Sequence, residues 1–292
     1  MLRIITDSAS DLPKSYIEQH HLHVIPTPVV IDNVDYLDGK TIQTEEFYQI
    51  LDDIKRDVKT YHINPAMFTD AFLPYAQAGD SVIYLCFSTG IAGTYNAANI
   101  ALTSIREDHP DFDLTIIECA SIGFGLLVSK LVTMLEKGAD KEELIEAADY
   151  YISHIRHVFT VQTLAYLIKG GRLTKFKGTL AETLDMKPVL VVNESGALAV
   201  VKTVRGRKRS LRFLIEYAKE NGCQLENQTV ALCHGEDTES LEFVKTLVQE
   251  TFHPRDVLIS VVGCAIGAHT GRGLVGFCFF DADDGKYGKY FT

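Results

Sequence analysis

No apolar run in the sequence approaches the roughly 20 residues that a membrane-spanning helix needs, so no transmembrane segment is expected. Low-complexity tracts and internal repeats are missing too, which argues against a solenoid or a disordered linker protein. Positive charge is scarce: 28 Lys and Arg face 39 Asp and Glu, a formal net charge of −11. A nucleic-acid binder needs a basic face to displace counterions, so that class is not expected. There is no Walker-type phosphate loop for independent ATP use, and no G-x-S-x-G nucleophile elbow. The cysteines (Cys86, Cys119, Cys223, Cys233, Cys264, Cys278) form no CxxC pair and do not alternate with histidine at ligand spacing. They read as buried, reduced thiols. His20, His21 and His23 lack partner acids at fixed spacing and read as packing or solvent-facing residues, so no metal is expected. The opening "MLRIITDS" enters a strand pattern directly, which predicts a cytoplasmic protein without a secretory leader.

What is present is a chain of 292 residues, 46% hydrophobic, long enough for two domains with large cores. In the first half, buried strand patterns ("RIITD", "SVIYLCF", "LTIIEC") alternate with helical ones. The helical spans are 13–19, 44–58, 65–73 (ended by Pro74), 93–106, 126–137 and 141–157, the last N-capped by Asp140. "VIPTPVVID" adds two proline-punctuated extended pieces. Continuous apolar strands separated by helices predict a parallel sheet covered on both faces. The second half opens with a hairpin, "KPVLVVNESGALAVVKTV". Helices over 211–221 and 238–251 then alternate with "TVALCH", "DVLISVVG" and "GLVGFCFF". The fold class is therefore α/β: an N-terminal three-layer α/β/α domain with a parallel sheet (1–158) and a C-terminal two-layer α/β domain with a mixed sheet (159–292).

Glycine and hydroxyl residues cluster in the loops "TDSASD" (6–11), "FSTGIAGT" (87–94), "ASIGFG" (120–125), "LIKGGRL" (167–173) and "GAHTGRG" (267–273). Loops at the carboxyl ends of parallel strands form ligand crevices. Glycine brings backbone N–H groups close to a ligand, and helix N-termini favour negative charge. A small anion, phosphate or carboxylate, fits that chemistry; helix capping and tight turns use the same residues. Arg172 could grip an oxyanion bidentately, or sit at a helix C-terminus facing the dipole. His269 could donate to an oxygen or be a structural histidine. On an otherwise acidic chain, Lys202, Arg205, Arg207, Lys208, Arg209 and Arg212 form a basic island with no acid between Gly196 and Ile215.

The series "TDSASDLP", "STGIAGTY", "SIGFG", "YLIKGGRL", "MKPVLVVNESGAL", "RGRKRSL" and "GAHTGRG" resembles the DegV family in order and over nearly the whole chain. The resemblance implies a two-domain α/β protein that holds a long-chain fatty acid, of the palmitate, stearate or oleate class, in a tunnel between the domains. It further implies a carrier with no cofactor and no catalytic residues. Such a carrier presents the carboxylate to an ATP-dependent fatty acid kinase subunit, which makes an acyl-phosphate for phospholipid synthesis. By position, the family's carboxylate-binding threonine falls on Thr60 of "KTYHINP", where Tyr61, His62, Ile63 and Asn64 depart from its pattern. Its serine in an "LSGT"-type turn falls on Ala92, beside Gly93 and Thr94. Arg172, His269 and Thr270 match its head-group surroundings, and Arg272 replaces a proline, adding a cation nearby. The basic island matches the kinase-docking segment, with Arg205, Arg207 and Lys208 as contacts.

Each buried methylene contributes about 0.8 kcal/mol, so the tail would dominate affinity, and a dry tunnel suits uncharged donor loops. Two other readings stay open. One is a binding or regulatory protein for another small anion with no kinase partner, because fold alone does not fix function. The other is a hydrolase using Ser88 or Ser121 with His269, although no orienting carboxylate is evident.

Overall fold

Among the described residues three sheets organise the chain: one four-stranded, one six-stranded and one three-stranded. The computed structural model describes residues 1–53, 55–87, 93–119, 123–173, 185–193 and 196–291. The first lobe begins with β1 (Leu2–Asp7), α1 (Lys14–Gln19), β2 (His23–Ile25), β3 (Pro28–Ile31), β4 (Val34–Leu37), α2 (Thr44–Leu51) and β5 (Val58–Thr60). It continues with α3 (Pro65–Ala78), β6 (Ser81–Cys86), α4 (Thr94–Asp108), β7 (Leu114–Glu118), α5 (Gly125–Glu136) and α6 (Lys141–His154).

Its main sheet runs β2-β1-β6-β7 and is parallel throughout. Alternate residues serve opposite layers, as the period of a strand demands. Ile5, Val82 and Tyr84 pack against Phe68 and Phe72 of α3 and Ala98 of α4. Ile4, Ile83 and Leu85 belong with Leu127 and Leu131 of α5 and Leu144 of α6. This is the three-layer arrangement that the continuous apolar strands imply.

The second lobe holds β8 (Ile155–Thr160), α7 (Ala165–Lys169), β9 (Met186–Val192), β10 (Leu198–Arg205), α8 (Arg207–Asn221), β11 (Thr229–His234) and α9 (Thr238–Phe252). β12 (Asp256–Val261), α10 (Cys264–Thr270) and β13 (Val275–Phe280) follow. The mixed sheet runs β10-β9-β8-β13-β11-β12, with β11 and β12 its parallel pair. Leu211 and Leu214 of α8 and Val244 and Val248 of α9 cover one face through Val158, Val230 and Phe277. The opposite face contributes Phe159, Leu190, Cys233 and Phe280 to the cluster that contains Leu127 and Leu144. The lobes therefore share a continuous apolar core.

Several elements differ from the sequence reading. The helix expected to reach His157 stops at His154, because Ile155–Thr160 pairs with β13 and β9 as a central strand. That strand straddles position 158. Pro74 lies inside α3, which ends only at Gly79 in the left-handed region (φ 66°). Packing of Tyr75 and Ala76 against the buried cluster outweighs the hydrogen bond that proline removes. α2 ends at Leu51 rather than 58, because Val58–Thr60 joins β3 in a three-stranded antiparallel sheet, β4-β3-β5. The "GAHTGRG" stretch is the end of a helix, α10, and its exit turn rather than a strand-end loop.

Candidate functional site

β5 ends at Thr60, whose hydroxyl lies 2.6 Å from Nε2 of His269 near the C-terminal end of α10. Two residues 209 apart in sequence thus meet through the three-stranded sheet and one short helix. Burial, with the Arg172 guanidinium second, holds the His269 imidazole down at about 4, so it is neutral at neutral pH. The glycines of "KGGR" have separate tasks. A Cβ on Gly170 would stand 2.1 Å from His269 Nδ1, so only glycine lets α7 end against that ring. Gly171 has φ +71°, which carries the chain out of the helix and delivers Arg172. Arg172 donates from a terminal nitrogen to the Gly170 carbonyl at 2.6 Å. Its buried Nε has no partner among the described residues, and burial lowers its pKa.

Thr60, Arg172 and His269 line one open cleft of about 720 Å³ of empty space, open solvent at its mouth included. Leu51, Val58, Tyr166 and Ala268 supply apolar wall; Arg56, Lys59 and Lys169 bring further cations to the rim. Arg56 is paired with Asp32, and Lys59 with Asp57 at 2.6 Å. Within a protein of net charge −11, this cleft combines a guanidinium, a hydroxyl and a neutral imidazole. Such a set can bind an oxyanion by charge and directed hydrogen bonds.

The other sequence-selected residues are distributed differently. Ala92, with Ser88 and Ser121, lies outside the described residues. Gly93 caps α4 beside the His62 ring, which a Cβ there would meet at 3.5 Å. Thr94 is buried at the first position of α4. The N-terminus of α4 thus adjoins the Thr60–His62 segment without lining the cleft. Thr270 is buried and donates to the Ile266 carbonyl at 3.2 Å, which turns its hydroxyl into its own helix. Arg272 does not add an uncommitted cation. It holds Asp52 through two nitrogens, at 2.8 and 3.1 Å, and Glu236 at 3.0 Å.

"TDSASD" also departs from its expected role. Asp7 accepts from Ala9 N–H, the Tyr84 hydroxyl and Phe87 N–H, and burial pushes it up to about 6. Ser8 is occupied by Asp38 and Thr27 N–H, and Asp11 accepts from Gly263 N–H. The loop spends most of its polar groups on the protein, while the buried Ser10 hydroxyl and Asp11 Oδ2 have no partner among the described residues. The glycines of "GAHTGRG" likewise serve packing: a Cβ at Gly267 would reach the Tyr48 hydroxyl at 2.8 Å, and one at Gly271 the Tyr166 ring at 2.5 Å.

In the basic island, Arg205 and Lys208 are exposed. Arg207 turns inward, held by Asp237 at 2.9 Å and the Gly273 carbonyl at 2.5 Å, and ties the start of α8 to α9. His20 pairs with Glu136 and His23 with the Tyr75 hydroxyl. No cluster of three or more metal-ligating side chains occurs among the described residues, and none of the described helices is long and apolar enough to cross a membrane. Sequence reasoning missed Lys169, Arg56 and Tyr166 in the cleft; adjacency to "GGR" was the one signal for Lys169.

A parallel-sheet lobe and a mixed-sheet lobe meeting at a polar cleft define a two-lobed α/β class with solved examples. The chain belongs to the DegV family: the model described as "uncharacterised protein, DegV family" matches residues 1–282. A DegV domain-containing protein of Clostridium perfringens is 32% identical over 280 residues, covering 94% of this chain and 96% of that one. A stearic acid-binding protein from Eubacterium ventriosum has TM-score 0.86 at 28% identity, covering 95% of this chain and 97% of its own. A DegV lipid-binding protein from Thermotoga maritima has TM-score 0.82 at 27% identity, covering 95% and 97%. The Streptococcus pneumoniae fatty acid kinase B3 protein, solved with linoleic acid, shares the fold at 21% identity and TM-score 0.83, covering 97% and 100%.

Proposed function

We propose that the protein binds a long-chain fatty acid, with the carboxylate in the Thr60–His269–Arg172 cleft and the alkyl chain between the lobes. It then presents the carboxylate to an ATP-dependent fatty acid kinase subunit. The observation that carries the reading is Thr60 paired with a neutral His269 beside Arg172, whose buried Nε has no partner among the described residues. A carboxylate there gains one charge-assisted contact and one directed neutral one, because the Thr60–His269 pair spends one of its two protons on its own hydrogen bond; each net contact is worth about 1–3 kcal/mol. The path for the tail is supported by the neighbours of these same residues. Leu173 follows Arg172 and Ile266 precedes His269 by about a turn, and both belong to the apolar core shared by the lobes. Stearic acid binding by the relative from Eubacterium ventriosum and lipid binding by that from Thermotoga maritima support the ligand class.

For the partner, Arg205 at the end of edge strand β10 and Lys208 in the first turn of α8 offer exposed positive charge. Arg207 instead fixes the helix that displays them. The test is to purify the protein from a lipid-containing host, extract it and identify the extract by mass spectrometry. An acyl chain of the palmitate, stearate or oleate class is expected; absence of any acyl chain, with no uptake of added oleate, refutes the reading. Arg205→Glu should abolish pull-down of a kinase subunit while leaving bound lipid in place. Retained pull-down would remove the docking assignment alone.

A further inference from the structure

α10 is only seven residues long, yet it is gripped at both ends by the same small sheet. At its start, Asp38, the residue after β4, accepts from Cys264 N–H at 3.0 Å and Ala265 N–H at 3.2 Å. Asp11 accepts from the preceding Gly263 N–H at 2.7 Å. Ser8 donates to Asp38 at 3.1 Å and so fixes the carboxylate from the β1 side. At the other end, Thr60 closes β5 and meets His269. β3 joins the two grips, pairing Pro28 with Leu37 on one side and Val29 with Thr60 on the other. Gly263 completes the fit, because a Cβ there would come within 2.9 Å of Asp38 Oδ2.

We propose that Asp38, seconded by Asp11, is a positioning residue for the head-group site: it anchors α10 so that His269 meets Thr60 and Gly170. From Cys264 to His269 a helix rises about 7.5 Å, so a shift or fraying at the anchored end is transmitted to the imidazole. Two carboxylates on the first N–H groups also satisfy donors that a buried helix start cannot leave open. Asparagine at 38 has nearly the same shape but one acceptor oxygen for three donors, so it loosens the anchor without opening a cavity. This proposal rests on the reading of Thr60 and His269 as the head-group site, and its primary readout needs no lipid.

The test uses the full chain with isotope-labelled histidine, following the His269 ring by NMR against pH, alongside oleate titration. In Asp38→Asn the His269 midpoint, about 4 in the parent, should rise by about one pH unit as the ring leaves its contact with Gly170 and becomes more solvated. Removing a negative charge acts through space in the opposite direction, so a rise reports movement rather than electrostatics. Oleate affinity should fall about tenfold. Ser8→Ala should give a smaller change of the same sign. Leu241→Ala, in the α9 core layer, serves as a variant of lowered melting temperature remote from α10. If Asp38→Asn leaves the His269 midpoint where Leu241→Ala leaves it, Asp38 is merely structural and the proposal is overturned. If the midpoint rises while the parent protein itself takes up no oleate, positioning stands and the head-group reading falls.

Discussion

Arg172 and Arg272 look alike in the sequence, each following a glycine in a glycine-rich turn near a helix end, yet the structure treats them oppositely. Arg272 is held by Asp52 and Glu236 and lies over the Tyr48 ring, 5.5 Å from its centroid. It joins α2, the turn after β11 and the exit of α10. Among the described residues Arg172 donates to the Gly170 carbonyl and has a buried Nε without a partner, and its side chain lines a cleft. The difference lies in the acids, contributed from elsewhere in the chain. A guanidinium already paired with two carboxylates has little left for a ligand, whereas a desolvated one without a counterion among the described residues is poised to accept an anion. One arginine is a fastener and the other a receptor.

The harshest way to disturb the receptor side is Gly170→Ala. Its methyl group would sit 2.1 Å from His269 Nδ1 and must displace the ring or the end of α7. Displacing His269 and the carbonyl that holds Arg172 together should weaken oleate binding by roughly a hundredfold, about the cost of losing one charge-assisted and one neutral hydrogen bond. Titration of delipidated protein checks this, and near-parent affinity would show that the close approach is dispensable. Arg172→Ala should have the next largest effect, about a tenfold to hundredfold loss of affinity, with the melting temperature nearly unchanged. Should Arg272→Ala lose as much affinity as Arg172→Ala, the contrast between the two arginines collapses.

Why the sequence distinguishes these regions poorly follows from what carries each signal. The sheets were legible because burial on both faces gives continuous apolar strands, as in "SVIYLCF" and "TVALCH". The capping of α6 by Asp140 was legible because it is local, made to Glu143 N–H three residues on. In the β4-β3-β5 sheet only β3, within "VIPTPVVID", read as extended; β4 and β5 did not, because three or four residues carry too little periodicity. α10 was hidden by its glycines, whose purpose is close approach of Tyr48 and Tyr166 rather than a loop. For the site, Arg172 and His269 were singled out in their glycine-rich loops and Thr60 through family resemblance, and the structure brings them into one cleft. Sequence position could not show that the Thr270 hydroxyl returns to Ile266. Nor could it show that Arg207 turns to Asp237 and Gly273, which are remote in sequence.

The pH dependence of the cleft sharpens the comparison further. His269 titrates near 4 in the fold against an ordinary 6.5. It therefore contributes stability above about pH 6.5 that is lost as pH falls toward 4, by up to about 3 kcal/mol. Asp7, raised to about 6, acts with the opposite sign: it favours the fold below its ordinary range, and that advantage disappears as pH rises through 6. The two partly cancel in the whole-protein profile between pH 4 and 6. Comparison with His269→Gln isolates the histidine: the stability gap between parent and variant should shrink on acidification, as measured by urea denaturation at several pH values. A gap independent of pH would mean that His269 is not held neutral by its surroundings.

The smallest effect belongs to the fastener. Arg272 is about a third exposed, at 35%, so water screens its two ion pairs and their combined worth is roughly 1 kcal/mol. For a chain of this size, Arg272→Ala should lower the melting temperature by about 2–4 °C. Raising the salt concentration should narrow the difference, because exposed pairs are screened. Oleate affinity should stay within about threefold of the parent, less than one hydrogen bond to a charged group is worth. A salt-insensitive loss would instead point to the stacking over Tyr48, which ionic strength screens little. In that case the arginine acts by covering the aromatic ring rather than by joining charges, and Arg272→Lys, which keeps the charge but loses the planar face, should be as damaging as alanine.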